Sequence, residues 1–125
     1  MQQIWAPWRL QYILSKRPPE CIFCEEPKQD KDRENLILFR SRNCYIIMNI
    51  YPYNNGHLMI VPYRHLFSIV DLDDEEMLDI MKMTQFSVNC LREVFMPEGF
   101  NIGLNIGRVA GAGIEEHLHY HIIPR

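Results

Sequence analysis

Glu116-His117-Leu118-His119-Tyr120-His121-Ile122-Ile123-Pro124-Arg125, the last ten residues of the sequence, decide how the rest of it is read. Three histidines stand at every second position, and Leu118, Tyr120 and Ile122 follow them one by one. Strict alternation is the pattern of a half-buried strand, because successive side chains point to opposite faces of a sheet. One face of this strand is expected to carry a row of imidazoles and the other to join the core. Pro124 has no N–H to give a ladder and ends the run.

Same-face neighbours on a strand stand roughly 6.5–7 Å apart, which puts His117 and His121 roughly 13 Å apart on a straight strand. That is too far for both to bind one metal ion, although a His-x-His pair can chelate. The other use of such a row is nucleophilic. A neutral imidazole attacks phosphorus well, and its ordinary pKa of about 6.5 keeps it mostly neutral at neutral pH. Its neighbours can then orient it and protonate a leaving group.

A chain of 125 residues is one domain, long enough to bury a core. With 47% hydrophobic and 23% charged residues its composition is that of an ordinary globular protein. A net charge of −3 argues against nucleic acid or an anionic membrane surface as partner. No apolar run reaches the length of a membrane span, and the first ten residues hold no apolar core of a secretory signal. Cys21 and Cys24 lie close together, while Cys44 and Cys90 stand alone. That is no disulfide framework. It implies a reducing, cytoplasmic setting and half of one metal site.

The clearest helix is expected to begin near Asp73 and run to Phe95. Asp73 can cap its first N–H groups, Glu76 completes a capping box, and the acidic cluster suits the positive end of the helix. Met77, Met81, Thr84, Val88, Leu91 and Phe95 recur at helical spacing, and Ile80, Met83, Cys90 and Val94 widen the stripe. This face is read as core or as a dimer contact. Pro97 and Gly99 end the element. Residues 36–40 and 44–50, joined by Ser41-Arg42-Asn43, read as a hairpin. His57 to Val61 and Phe100 to Asn105 read as further strands. Residues 25–34 read as a solvated loop, residues 1–16 as an irregular aromatic segment docked on the domain, and Gly107 to Gly113 as a glycine-rich loop. The fold class is therefore α+β: a mostly antiparallel sheet with one long helix packed on it.

His117-x-His119-x-His121 followed by Ile122-Ile123-Pro124-Arg125 resembles the motif of the histidine triad family of nucleotide hydrolases and transferases. Cys21-Ile22-Phe23-Cys24, Asn49-Ile50, the run from Gly56 to Pro62, and Asn105 with its glycine loop agree in the family's order. Trp5-Ala6-Pro7-Trp8-Arg9 and the run from Ala110 to Ile114 resemble the diadenosine tetraphosphate phosphorylase (ATP adenylyltransferase) branch. The resemblance implies a single domain over residues 1–125, dimerisation through the long helix and nearby strands, and a nucleotide or dinucleoside polyphosphate as substrate. Branch members continue beyond the position of Arg125 with a tail that helps shape the substrate site; this sequence stops there.

Residue by residue, the resemblance makes His119 the nucleophile that attacks the α-phosphorus, with a nucleotidyl-imidazole intermediate. His121, Asn105 and the loop bearing Gly111, Gly113 and Ile114 would hold phosphate, since glycine lets backbone N–H groups approach it closely. His57 would support the triad. Asn49, where many relatives carry Asp, would meet ribose hydroxyls, and Ile22, Phe23 and Ile50 would line the base pocket. Cys21, Cys24, His65 and His117 correspond to the ligands of a structural zinc, a Cys₂His₂ set with no open position. On the residues alone, Cys21-x-x-Cys24 leaves zinc and redox use both open, although a redox motif wants a βαβ context that is missing.

Overall fold

A computed structural model describes residues 21–49, 56–107 and 117–125. The described chain runs α1 (Ile22–Glu25), a 3-10 turn (Glu26–Lys28), α2 (Asp32–Asn35), β1 (Ile37–Arg40), β2 (Cys44–Met48), β3 (Leu58–Pro62), a second 3-10 turn (Ile69–Asp71), α3 (Asp74–Phe95), β4 (Phe100–Gly103) and β5 (Tyr120–Pro124). The strands form one sheet in the order β1-β2-β3-β5-β4, and every neighbouring pair is antiparallel. The α+β expectation holds.

Parity along the strands sorts side chains onto two faces. Cys44, Ile46, Leu58, Ile60 and Ile122 point to α3 and pack with its Ile80 and Leu91. Tyr45, Ile47, Met59 and Val61 point the other way and pack with Phe23 of α1 and Ile37. The second face is the one that carries His121, which pairs with Met59 on β3 and Gly103 on β4. Among the described residues the sheet thus has α3 on its back and α1 on its front.

The long helix is capped as its sequence asks. The Asp73 carboxylate accepts from the Glu76 N–H, and the Glu76 carboxylate accepts from the Asp73 N–H. Glu76 is buried, and Arg64 donates twice to it at 2.8 and 2.6 Å, which ties the loop after β3 to the helix start. Asp79 on the next turn accepts from the Ser41 hydroxyl and the Asn43 N–H, both at 2.7 Å, and so anchors the β1–β2 turn. At the far end Met96, with φ 49°, closes the helix before Pro97.

Several boundaries differ from the sequence reading. Residues 25–34 hold the last residue of α1, a 3-10 turn and most of α2 where a loop was expected, fastened by a bidentate Arg40–Asp32 pair and by the Arg40 bond to the Pro27 carbonyl. Pro62 belongs to β3, because its ring sits where no N–H is required, opposite Cys44. The strand expected over Phe100 to Asn105 stops at Gly103. The stripe on α3 also divides. Ile80, Thr84, Ser87 and Leu91 are buried with Met83 and Val88 beside them, whereas Met77, Met81, Val94 and Phe95 are exposed.

The largest correction concerns the histidine strand itself. It begins at Tyr120, so His117, Leu118 and His119 precede it. Two hydrogen bonds explain the break. The Leu118 N–H donates to the Leu66 carbonyl at 2.7 Å, outside the sheet ladder. The His119 ring donates back to the His117 carbonyl at 2.9 Å, which uses an acceptor that a strand would offer to its neighbour.

Candidate functional site

Two groups of histidines meet on the front of the sheet, one on each side of His119. The first begins at α1. Cys21 precedes this short helix and Cys24 lies within it, so both thiols turn to the same side. Tyr45, fully buried on β2, holds the turn by donating its hydroxyl to the Phe23 carbonyl at 2.6 Å. The Cys21 Sγ lies 3.2 Å from His117 Nδ1, and the Cys24 Sγ lies 3.4 Å from that atom and 3.3 Å from His65 Nδ1. The donor atoms of Cys21, Cys24, His65 and His117 all fall within 4.8 Å of one another, an arrangement able to hold a metal ion.

The surroundings prepare this group for a cation. His117 donates its Nε2–H to the Pro62 carbonyl at 2.7 Å, which leaves the Nδ1 lone pair facing the sulfurs. Burial, followed by the charges of His65 and His119, holds its imidazole down at about 4 against the help of that hydrogen bond. Burial also pushes the Cys21 thiol up to about 12. Without a cation this site keeps its sulfur protonated; a bound metal would displace that proton.

The second group lies on the other side of His119. Gly56 opens it, with φ +84° and with no room for a side chain: a Cβ there would stand 2.9 Å from the Phe95 ring. That close approach brings the chain into β3 against the end of α3. His57, with no exposed surface, comes next. The Asn49 side chain donates to His57 Nδ1 at 3.2 Å, and the backbones of the two residues are bonded as well. His57 can then donate its Nε2–H to His121 Nδ1, 2.9 Å away. This order of bonds leaves His121 with its hydrogen on Nε2, a donor for an anion. Burial, then the charges of His119 and His57, holds His121 down at about 4. His57 is lowered by burial, then by His119 and Arg125.

His119 stands between the two groups. Its ring centroid is 4.9 Å from that of His121 and 5.0 Å from that of Phe23. The bond from Nδ1 to the His117 carbonyl fixes its tautomer, so the lone pair is on Nε2. This is a nucleophile's arrangement: one nitrogen anchored, the other basic, an imidazole N–H beside it.

The sequence-derived residues therefore converge in part. Cys21, Cys24, His65 and His117 come together, as do Asn49, His57 and His121, with His119 and Phe23 between them. Ile22 packs at the edge of the Phe23 cluster. Asn105 follows β4 just past Gly103, the partner of His121, and is exposed. Ile50, Gly111, Gly113 and Ile114 lie outside the described residues, as does the aromatic segment 1–16. Sequence reasoning missed the Tyr45 hydroxyl and the Pro62 carbonyl. A tyrosine in an apolar run and a proline carbonyl carry no local signal of what they will bind across the fold.

Residues 30–125 match the profile of the HIT domain family. The chain is 41% identical to a Mycobacterium tuberculosis protein named AP-4-A phosphorylase, covering 100% of this chain and 68% of that one. It is 30% identical to the Schizosaccharomyces pombe adenosine 5'-monophosphoramidase hnt1, covering 84% and 74%. In structure it resembles a zinc-bound histidine triad family protein from Mycobacterium smegmatis with a TM-score of 0.74 and 26% identity, covering 85% and 75%. The chain belongs to the HIT domain family.

Proposed function

We propose that this protein transfers a nucleotidyl group from a dinucleoside polyphosphate, with diadenosine tetraphosphate as the reference substrate, through His119. The observation that carries this reading is the His119 Nδ1 bond to the His117 carbonyl, which presents Nε2 as the attacking atom. His119 Nε2 would form a bond to the α-phosphorus as the bond to the bridging oxygen breaks. The leaving nucleotide departs as an oxyanion that needs no proton. His121, neutral and carrying its hydrogen on Nε2, would donate to a non-bridging oxygen, where charge accumulates in the transition state. Phosphate or water then attacks the same phosphorus as the phosphorus–nitrogen bond breaks, which releases the nucleotide and restores neutral His119; an attacking water gives up its proton to solvent.

Phe23 and Ile22 would receive the base, with the Asn49 amide near the ribose; Ile50, Asn105, Gly111, Gly113 and Ile114 complete this assignment. A monophosphoramidate is the second candidate substrate, favoured by the likeness to the S. pombe enzyme. Its amine leaving group needs a proton that a bridging phosphate oxygen does not. Product analysis with diadenosine tetraphosphate tests the reading. ADP plus ATP in the presence of phosphate marks phosphorolysis, AMP plus ATP marks hydrolysis, and no turnover overturns it.

The donor chemistry of Cys21, Cys24, His65 and His117 suits zinc. Bond lengths of about 2.3 Å to sulfur and about 2.0 Å to nitrogen place tetrahedral donors roughly 3.5 Å apart, close to the 3.2–3.4 Å between these sulfur and nitrogen atoms. With four protein ligands, zinc would supply structural cross-linking rather than a reactive position. Two-fold dimerisation through α3 is supported by the exposed Met77, Leu78, Met81, Val94 and Phe95, a surface the sheet does not use. A cytoplasmic setting agrees with reduced thiols. Among the described residues no helix is long and apolar enough to cross a membrane.

A further inference from the structure

Arg125 has no role in the arrangement above. Its backbone continues the β4–β5 ladder: its N–H donates to the Gly99 carbonyl at 2.8 Å, and its carbonyl accepts from Glu98 and Gly99. Pairing along that ladder sets Gly103 opposite His121 and Asn101 opposite Ile123. Asn101, His121, Ile123 and Arg125 therefore point to the same face, the front of the sheet. The Arg125 Nε donates to the Asn101 side-chain oxygen, which orients the guanidinium. Both residues are exposed. Among the described residues Arg125 joins no ion pair. Its charge nonetheless reaches the histidines, as one of the causes that lower His57.

We infer that Arg125, braced by Asn101, binds the part of a phosphate chain that lies beyond the phosphorus attacked by His119, and so selects polyphosphate ligands over monophosphates. The inference rests on the nucleotidyl-transfer reading and adds a specificity residue to it. Four residues of strand separate His121 from Arg125, roughly 13 Å. Several further phosphates on one side and a long guanidinium side chain on the other together span that separation. The guanidinium offers parallel N–H groups that match phosphate oxygens. Asn101 occupies Nε, which leaves the terminal nitrogens to meet an anion. The base side of the site, at Phe23 and Asn49, lies across β5 from Asn101, on the side of β3 and β2. A ligand that places its base there and its α-phosphate between His119 and His121 directs the rest of its phosphate chain toward β4.

The test is equilibrium binding of AMP, ATP and diadenosine tetraphosphate in a His119→Ala background, which prevents turnover, with and without Arg125→Gln. Arg125→Gln should weaken the two polyphosphates about tenfold or more, and AMP less than about twofold. Arg125→Lys should recover part of the loss, and Asn101→Ala should show the same pattern more weakly. Added salt should reduce the difference between ATP and AMP in the parent and leave less to reduce in Arg125→Gln. Equal weakening of all three ligands, or none, overturns the role of Arg125 while nucleotide binding stands. If the parent binds none of the three, the nucleotide reading fails and the inference fails with it. An exposed residue at the end of a strand has little to unfold, and equal melting temperatures would show that the variants are comparable.

Discussion

The rings of His57 and His121 meet across β3 and β5, Nε2 to Nδ1 at 2.9 Å, and Asn49 holds the far nitrogen of His57 at 3.2 Å. Asn49, in the loop after β2, and His57, just before β3, thus set which nitrogen of His121 on β5 carries a hydrogen. His57 touches no substrate in the proposed pose and acts by orienting His121. His57→Ala should therefore lower kcat roughly 10- to 100-fold while KM stays within a few-fold. Asn49→Ala should cost less in kcat and more in KM, since it also removes a proposed ribose contact. A His57→Ala enzyme with unchanged kcat would break this link.

The cysteine–histidine group predicts one zinc per chain. Cys24→Ala should remove it and lower stability by about 2 kcal/mol or more, roughly 8 °C in melting temperature for a domain of this size. A chelator should reproduce the loss in the parent and leave Cys24→Ala unaffected. Parent protein that purifies without metal and melts at the same temperature with added zinc would contradict the assignment.

Dimerisation can be tested on α3 directly. Met77 and Met81 are both about half exposed, at 47% and 54%, and stand one turn apart on a surface that the sheet leaves uncovered. Replacing both by Glu puts like charges across a two-fold interface, so light scattering should show a dimer for the parent and a monomer for the variant. A monomeric parent at micromolar concentration would refute the dimer.

Stability should depend on pH in two opposed ways. His121 is held down at about 4, chiefly by burial, whereas an unfolded histidine titrates near about 6.5. Between those values the unfolded chain binds more protons, so stability is lost as pH falls through that window. Glu26 works the other way. Burial pushes it up to about 7, so from the usual carboxylate range up to that value the folded state holds the extra proton and stability is lost as pH rises. Glu26→Gln removes the opposing contribution. Urea midpoints measured from about pH 7.5 down to about pH 5 should fall more steeply for this variant than for the parent. Parallel curves would mean that Glu26 titrates normally.

What could be read from the residues was what local rules govern. The capping box of α3 is written within four residues, Asp73 to Glu76, and forms as read. Alternation placed Ile122 in the core and His121 on the opposite face. The same alternation overextended the strand, because period-two spacing cannot foresee that Leu118 will bond the loop at Leu66. The 3-10 turn and α2 escaped because elements this short show no hydrophobic period, and their fastening comes from Arg40 on β1. On α3 a wide apolar stripe could not say which half faces the sheet. Ile80 and Leu91 do, and Met77 and Met81 do not. The cysteine half of the metal group was legible in the spacing of Cys21 and Cys24, but its histidines only by resemblance, since His65 and His117 join Cys24 across 41 and 93 residues.

The central claim is that His119 is the covalent nucleophile, and mapping the intermediate tests it most directly. Protein mixed with substrate radiolabelled at the α-phosphate and quenched in base should retain label in a bond that base leaves intact and acid cleaves, as a phosphorus–nitrogen bond to imidazole does. Peptide mapping should place that label on His119. His119→Ala should carry none and turn over nothing, while binding nucleotide within about tenfold of the parent. Label on His121 or His57, or substantial turnover by His119→Ala, would contradict the account.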